Sequence, residues 1–180
     1  MPTPAHDLDL PPKLLDYIAQ SRIALSLGDD RQEDCPLVAV SDAFCEMTGY
    51  SAGEVLGRNC RFLQPAGGAG PVRERMRGFI TDPARTEERF LIPNERKDGT
   101  PFLNLVYMTK LSRGGRTELI VGSQFDMNRR RTTPDAYDAA LRSDLRGLSS
   151  ITSESDWAVL GTMSTLATSS SIIAQARLDG

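Results

Sequence analysis

Between Thr86 and Asp126 the side chains alternate in character, and two glycine turns, Asp98-Gly99 and Arg113-Gly114-Gly115, cut the stretch into three. Period-two alternation broken by such turns is the pattern of a strand meander, which predicts strands near 86–93, 101–111 and 117–126. Upstream, Ile23, Leu25 and Leu27 alternate with Ala24 and Ser26, and Leu37 to Val40 follows Pro36, adding two further strands. The chain is therefore built around an antiparallel five-stranded sheet.

Between the two groups of strands the period becomes helical. Ser41 is placed to cap a helix through Met47 that Thr48-Gly49 ends, and Ser51 with Glu54 has the spacing of a capping box. Val72, Met76, Phe79 and Ile80 share one face of a longer helix opened by Pro71. Pro11 and Pro12 open an N-terminal helix with Leu14, Leu15 and Ile18 on one stripe, ending near Arg22. After a junction at Asn128 to Pro134, Tyr137, Leu141, Leu145 and Leu148 recur at helical spacing. A second terminal helix is expected within 154–178, on Trp157, Leu160, Met163 and Ala167. The class is α+β, divided into an N-terminal extension (1–22), a core (23–126) and a C-terminal helical extension (127–180).

Charge and residue usage narrow the function. With 21 basic and 24 acidic residues the chain carries a net charge of -3, which gives polyanions no general attraction. His6, the one histidine, lies in a proline-flanked tail, which removes histidine-based triads and most metalloenzyme chemistry. Cys35, Cys45 and Cys60 form no CxxC pair and follow no secretion signal, so each is read as a free thiol in a cytoplasmic protein without a membrane span.

The stretch Gly57-Arg58-Asn59-Cys60-Arg61-Phe62-Leu63-Gln64 concentrates reactive and polar groups. As a helix it would bring Cys60, Arg61 and Gln64 to one bound molecule, with Arg77 of the following helix as a second phosphate clamp. Composition alone favours a buried thiol among solvated arginines. Asn94 and Asn104, each five residues from Gly99, fall roughly opposite each other on one sheet face. Two inward amides match the alternating donors and acceptors of a pyrimidine edge, though turn-flanking asparagines are also common in water. By parity Val106 and Met108 join Asn104, while Ile120, Gly122 and Gln124 line the next strand, forming an apolar slot with a polar end. Leu103, Leu105, Tyr107, Leu119, Val121 and Phe125 point the other way, and an apolar face of that kind calls for cover by a terminal helix or a second protomer.

The octapeptide GRNCRFLQ, with MTGYS at Met47 to Ser51 and RKDGTPF at Arg96 to Phe102, closely resembles the light-oxygen-voltage (LOV) family, flavin-binding blue-light photoreceptors of the PAS fold. The resemblance runs from about Ile23 to Asp126. It implies short helices enclosing a flavin against the sheet and Cys60 as the thiol that adds reversibly to flavin C4a. It also implies Asn59 and Gln64 as ribityl and phosphate contacts, Arg61 and Arg77 as the phosphate clamp, and Asn94 and Asn104 on the pyrimidine edge. Gln124 becomes the amide beside flavin N5. FMN is the expected cofactor, with FAD and riboflavin as alternatives. Two departures stand out: Cys35 replaces the Asn often found before the proline of the second strand, removing a polar contact or loop tether, and Val106 replaces an aromatic lining residue.

A reversible photocycle consumes no substrate, so the protein is not expected to be an enzyme. Output is expected through terminal-helix packing, as a homodimer across the helices and outer sheet face or through an unidentified effector. A flavin redox sensor and a light-regulated DNA-binding protein are the alternatives. The second would use a helix-turn-helix broken at Gly147-Leu148-Ser149-Ser150, but Arg177 is the only basic residue from 151 onward, so nucleic acid is a poor partner.

Overall fold

The computed structural model describes residues 9–128, 133–153 and 157–159. Helix α1 (Pro12–Ala19) leads into strands β1 (Ala24–Asp29) and β2 (Leu37–Val40). Short helices α2 (Asp42–Thr48) and α3 (Ala52–Val55), a 3₁₀ helix (Cys60–Leu63) and α4 (Val72–Thr81) then cover one side of the sheet. Strands β3 (Glu87–Glu95), β4 (Pro101–Arg113) and β5 (Arg116–Asp126) follow, then α5 (Pro134–Ser153) and β6 (Trp157–Val159).

Local chemistry sets most of these boundaries. Pro12 occupies the first turn of α1, where its missing N–H costs nothing. Ser41 caps α2 by accepting from the Phe44 amide, and Gly49 closes it with φ 80, a left-handed geometry that glycine adopts freely. Ser51 and Glu54 form the capping box of α3. The buried Lys110 holds the far end of α4, its Nζ donating to the Asp82 carbonyl at 2.8 Å and lying over the Phe79 ring.

The sheet order is β2-β1-β5-β4-β3, all neighbours antiparallel, so the two N-terminal strands flank the far side of the meander. The β4–β5 turn at Gly114-Gly115 is a two-residue link with both glycines at positive φ. The β3–β4 turn differs from expectation. Its loop is Lys97-Asp98-Gly99, bracketed by the Arg96 amide donating to the Thr100 carbonyl, with Gly99 as the left-handed residue. The register therefore centres on Asp98: Asn94 pairs with Phe102, and Asn104 with Ile92. The two asparagines are diagonal neighbours on one face rather than opposite partners.

Two expectations about the C-terminal extension change. Residues 157–159 form a strand instead of helix, giving a sixth strand on β4, where Leu111 to Arg113 run beyond the start of β3 and leave an edge to pair. Trp157 is buried there under the Arg113 guanidinium. The rest of the expected last helix, and Arg177, lie outside the described residues. Helix α5 runs unbroken through Gly147 to Ser150, so the helix-turn-helix reading loses its turn. Gly147 serves packing instead: a Cβ there would fall 2.2 Å from the Tyr17 hydroxyl oxygen.

Apolar packing divides by face. On the outer face Leu25, Leu105, Tyr107, Leu119, Val121 and Phe125 join Leu14 and Ile18 of α1 and Tyr137, Leu141, Leu145 and Leu148 of α5 in one continuous cluster. The chain thus covers its own outer sheet face with α1 and α5, so that face is not bare sheet awaiting a second protomer. On the inner face two clusters stand apart, one around Phe44, Val55, Leu63 and Phe102, the other around Phe79, Phe90, Val106 and Ile120. Among the described residues no helix is long and apolar enough to cross a membrane.

Candidate functional site: a cavity between the sheet and its short helices

A cavity lies between the two inner clusters, walled by the strands and the short helices. The meander contributes Asn94, Asn104, Val106, Met108, Ile120, Gly122 and Gln124. The helical side contributes Asn59, Cys60, Arg61 and Gln64. Strand parity explains the first group, since residues two apart share a face. The second group departs from the expected helix: only Cys60–Leu63 is helical, and as 3₁₀, with Asn59 as its cap.

That cap shapes the mouth of the cavity. Asn59 Oδ1 accepts from the Arg61 amide at 2.9 Å, while its Nδ2 donates to the Asp34 carbonyl at 2.5 Å. The exposed Arg61 guanidinium forks onto both Asp34 carboxylate oxygens. Asp34 and Cys35 are both left-handed, with φ 68 and 45, a conformation that non-glycine residues adopt only when held. Asn59 and Arg61 supply that hold, so the loop tether expected to be missing with Cys35 is provided from across the mouth. Arg77 sits on the exposed side of α4 and is not brought to the cavity; Met76 and Ile80 of that helix line it instead.

Three features bear on chemistry. Burial pushes the Cys60 thiol up to about 11, with the Ser26 hydroxyl beside it pulling the other way, so the sulfur is a neutral thiol near pH 7. Asn104 Nδ2 donates to Asn94 Oδ1 at 2.8 Å, and Asn94 Nδ2 donates to the Pro93 carbonyl, which locks both amide orientations. Asn104 Oδ1 and Gln124 Oε1 are buried with no protein partner. A buried acceptor left unpaired costs about 1–3 kcal/mol, so two of them on the wall of one cavity mark where a ligand's donors belong. A flat heteroaromatic ring with a donor-bearing edge fits this set, with Val106, Ile120 and Met108 against its faces. Its phosphate end fits less directly, because the Arg61 fork is already held by Asp34.

Several lining residues escaped the sequence reading. Ile92 follows from Asn94 by parity. Ser26 and Gly28 do not, because only the β1–β5 pairing, Ser26 opposite Gly122 and Gly28 opposite Ile120, brings them to the cavity. Cys35 also lines it, its Sγ 2.9 Å from where a Cβ on Gly28 would stand, and burial pushes its thiol above the usual range.

A PAS domain model matches residues 31–129, more than half of the chain. Blue-light-activated histidine kinase 1 of Erythrobacter litoralis is 39% identical over 114 residues, which is 63% of this chain and 31% of that protein. Phototropin-2 of Oryza sativa is 35% identical over 121 residues, 65% of this chain and 13% of that protein. The chain thus spans about a third or less of the length of these curated relatives. The solved LOV domain of an Erythrobacter litoralis blue-light activated histidine kinase is 37% identical with a TM-score of 0.56, covering 61% of this chain and 100% of that one. The Rhodobacter sphaeroides LOV protein is 25% identical with a TM-score of 0.76, covering 93% of this chain and 97% of that one. The strand order, the thiol at the mouth of an amide-lined cavity and these likenesses lead to one conclusion: the chain belongs to the PAS domain family, in its light-oxygen-voltage (LOV) group.

Proposed function

We propose that this LOV protein is a blue-light sensor that binds a flavin in the inner-face cavity and uses Cys60 as its photoactive thiol. The observation that carries this reading is the meeting, across one cavity, of a neutral, half-buried thiol on the helical side with two unpaired amide oxygens on the sheet. A bound flavin would supply, under blue light, an electron-accepting ring carbon C4a and a proton-accepting ring nitrogen N5, so that the Cys60 S–H could add across them, sulfur to C4a and proton to N5, and be released again in darkness. Without light a neutral thiol is a poor nucleophile, so the raised pKa of Cys60 keeps the dark state unreactive. Asn104 Oδ1 accepts from the ring's pyrimidine edge, and Asn94 fixes the orientation in which it does so. Gln124 lies on the central strand, where it can answer a change at ring N5. FMN is the proposed cofactor, its phosphate competing with Asp34 for Arg61; FAD or riboflavin would place less demand on that residue.

The route from cavity to surface runs through β5. Ser123 follows Gly122 and precedes Gln124 but faces outward, where its Oγ lies 2.8 Å from Tyr137 Oη of α5, in a buried contact. Tyr137 also packs on Phe125 with ring centroids 4.6 Å apart. A shift of the strand at Gln124 is therefore felt at the start of α5. Asp144 of α5 in turn accepts from Tyr17 at 3.2 Å and Ser21 at 2.5 Å, tying the helix to the α1 region. Output by altered packing of these helices against a second copy of the chain, or against an effector, is part of the proposal. The match to relatives named as blue-light-activated supports the stimulus; kinase activity does not transfer from them.

An absorption spectrum before, during and after a blue flash tests the reading. The wild-type protein should be yellow, bleach and recover, whereas Cys60→Ala should stay yellow and lose the bleaching completely. A colourless protein after flavin supplementation, or bleaching that survives in Cys60→Ala, would refute it.

A further inference from the structure

Ser26, which no motif singled out, is the shared partner of the two groups on which the proposed photochemistry depends. Its Oγ, buried on β1, accepts from Gln124 Nε2 at 2.9 Å, donates to the Gly122 carbonyl at 3.4 Å and stands beside the Cys60 thiol. Gly122 makes the arrangement possible: a Cβ at that position would stand 2.8 Å from Ser26 Oγ and 2.9 Å from Gln124 Nε2, displacing both.

We propose that Ser26 is a positioning residue whose hydroxyl, able to donate or accept, satisfies the Gln124 amide in either of two opposite orientations and so lets it turn over inside the protein. The proposal rests on the flavin reading above. In the orientation seen here Nε2 is spent on Ser26 and Oε1 is left to accept, which suits a ring atom that carries a proton. In the reversed orientation Ser26 donates to Oε1 and Nε2 is freed for a ring atom that accepts. Asparagine and glutamine amides present a donor at one end and an acceptor at the other, so only a partner with both capacities serves both states. Without the hydroxyl one orientation strands an N–H and the other a C=O. A buried N–H left without a partner is the rarer of the two in native proteins. Loss of Ser26 therefore falls mainly on the orientation seen here, the one matched to the illuminated state. The hydroxyl also carries the amide's state to β1, whose Leu25 and Leu27 pack in the same cluster as Leu14 and Ile18 of α1.

The test compares wild-type, Ser26→Ala and Ser26→Thr in the full flavin-loaded chain. It reads the recovery of absorbance in darkness and, independently, the side-chain amide resonances of Gln124 by ¹⁵N NMR in darkness and light. Ser26→Ala should recover about five- to tenfold faster, the scale of one buried hydrogen bond. Its illuminated Gln124 protons should exchange faster with water. Ser26→Thr, which keeps the hydroxyl, should stay within about twofold of wild type. Unchanged or slower recovery in Ser26→Ala, unaltered Gln124 resonances, or a threonine variant that behaves like alanine each overturns the role of Ser26 while leaving the photoreceptor reading intact. A wild-type protein that never bleaches overturns both.

Discussion

The two faces of the sheet are built from adjacent residues of the same strands, yet they solve opposite problems. The outer face is closed: Tyr107, Leu111 and Leu119 are almost wholly buried beneath α1 and α5 in one uninterrupted cluster. Side chains bond across it, as Ser123 does with Tyr137. The inner face is split into two clusters around a cavity, and it keeps two buried oxygens without protein partners. A chain under selection for stability alone would fill such a gap, since unpaired buried acceptors and missing contacts both destabilise. The contrast teaches that stability is concentrated on one side of the sheet and binding on the other, with β5 common to both.

Truncating the closed face should cost the most. Leu141→Ala removes a side chain 1% exposed from the outer cluster, and should lower unfolding stability by about 2–5 kcal/mol in a urea titration. Light-driven bleaching of the fraction that remains folded should be unchanged; loss of bleaching there would break the division between the faces. On the open face, Asn104→Leu takes the donor from Asn94 and should destabilise the fold by only about 1–3 kcal/mol. Flavin affinity, measured by fluorescence quenching, should fall about tenfold or more as the ring edge loses its acceptor. Equal effects on stability and affinity would blur the comparison. The smallest change probes the link between the faces. Tyr137→Phe removes one buried hydroxyl and should cost about 1 kcal/mol. Bleaching and recovery should persist, while any light-dependent change in apparent size, followed by chromatography in darkness and under blue light, should shrink. A full-sized response in this variant would send the signal by another route.

Much of this division was legible in the chain. Alternation between Asn104 and Leu111, and between Leu119 and Phe125, assigns residues to two faces without reference to anything distant, because side-chain direction in a strand is a property of the strand. The caps at Ser41 and Ser51 were equally local, and the octapeptide around Cys60 carried the family. The errors have physical origins too. The register of β3 and β4 moved because a loop of Lys97-Asp98-Gly99 closes one residue earlier than a turn centred on Gly99. Gly147 lent a turn only to the helix-turn-helix alternative, because glycine is a poor helix former; in the helix it makes room for the ring of Tyr17, some 130 positions away in the chain. Arg77 is no such case: helical spacing puts it on the polar side of α4, and Met76 and Ile80 pack inward beside Phe79, as their shared face predicts.

The amino-acid order by itself determined the strands and their two faces, the capped short helices, and the thiol and amides of the candidate site, all through interactions that reach only a few residues along the chain. Tertiary structure alone decided that β1 lies beside β5, bringing Ser26 to Gln124 and Cys60, that α1 and α5 close the outer face from within the chain, and that Asp34, 27 positions away, holds Arg61. Those outcomes depend on which distant segments meet, and that choice is made by the burial of whole faces and the closure of long loops, quantities to which no single stretch of sequence contributes enough to decide.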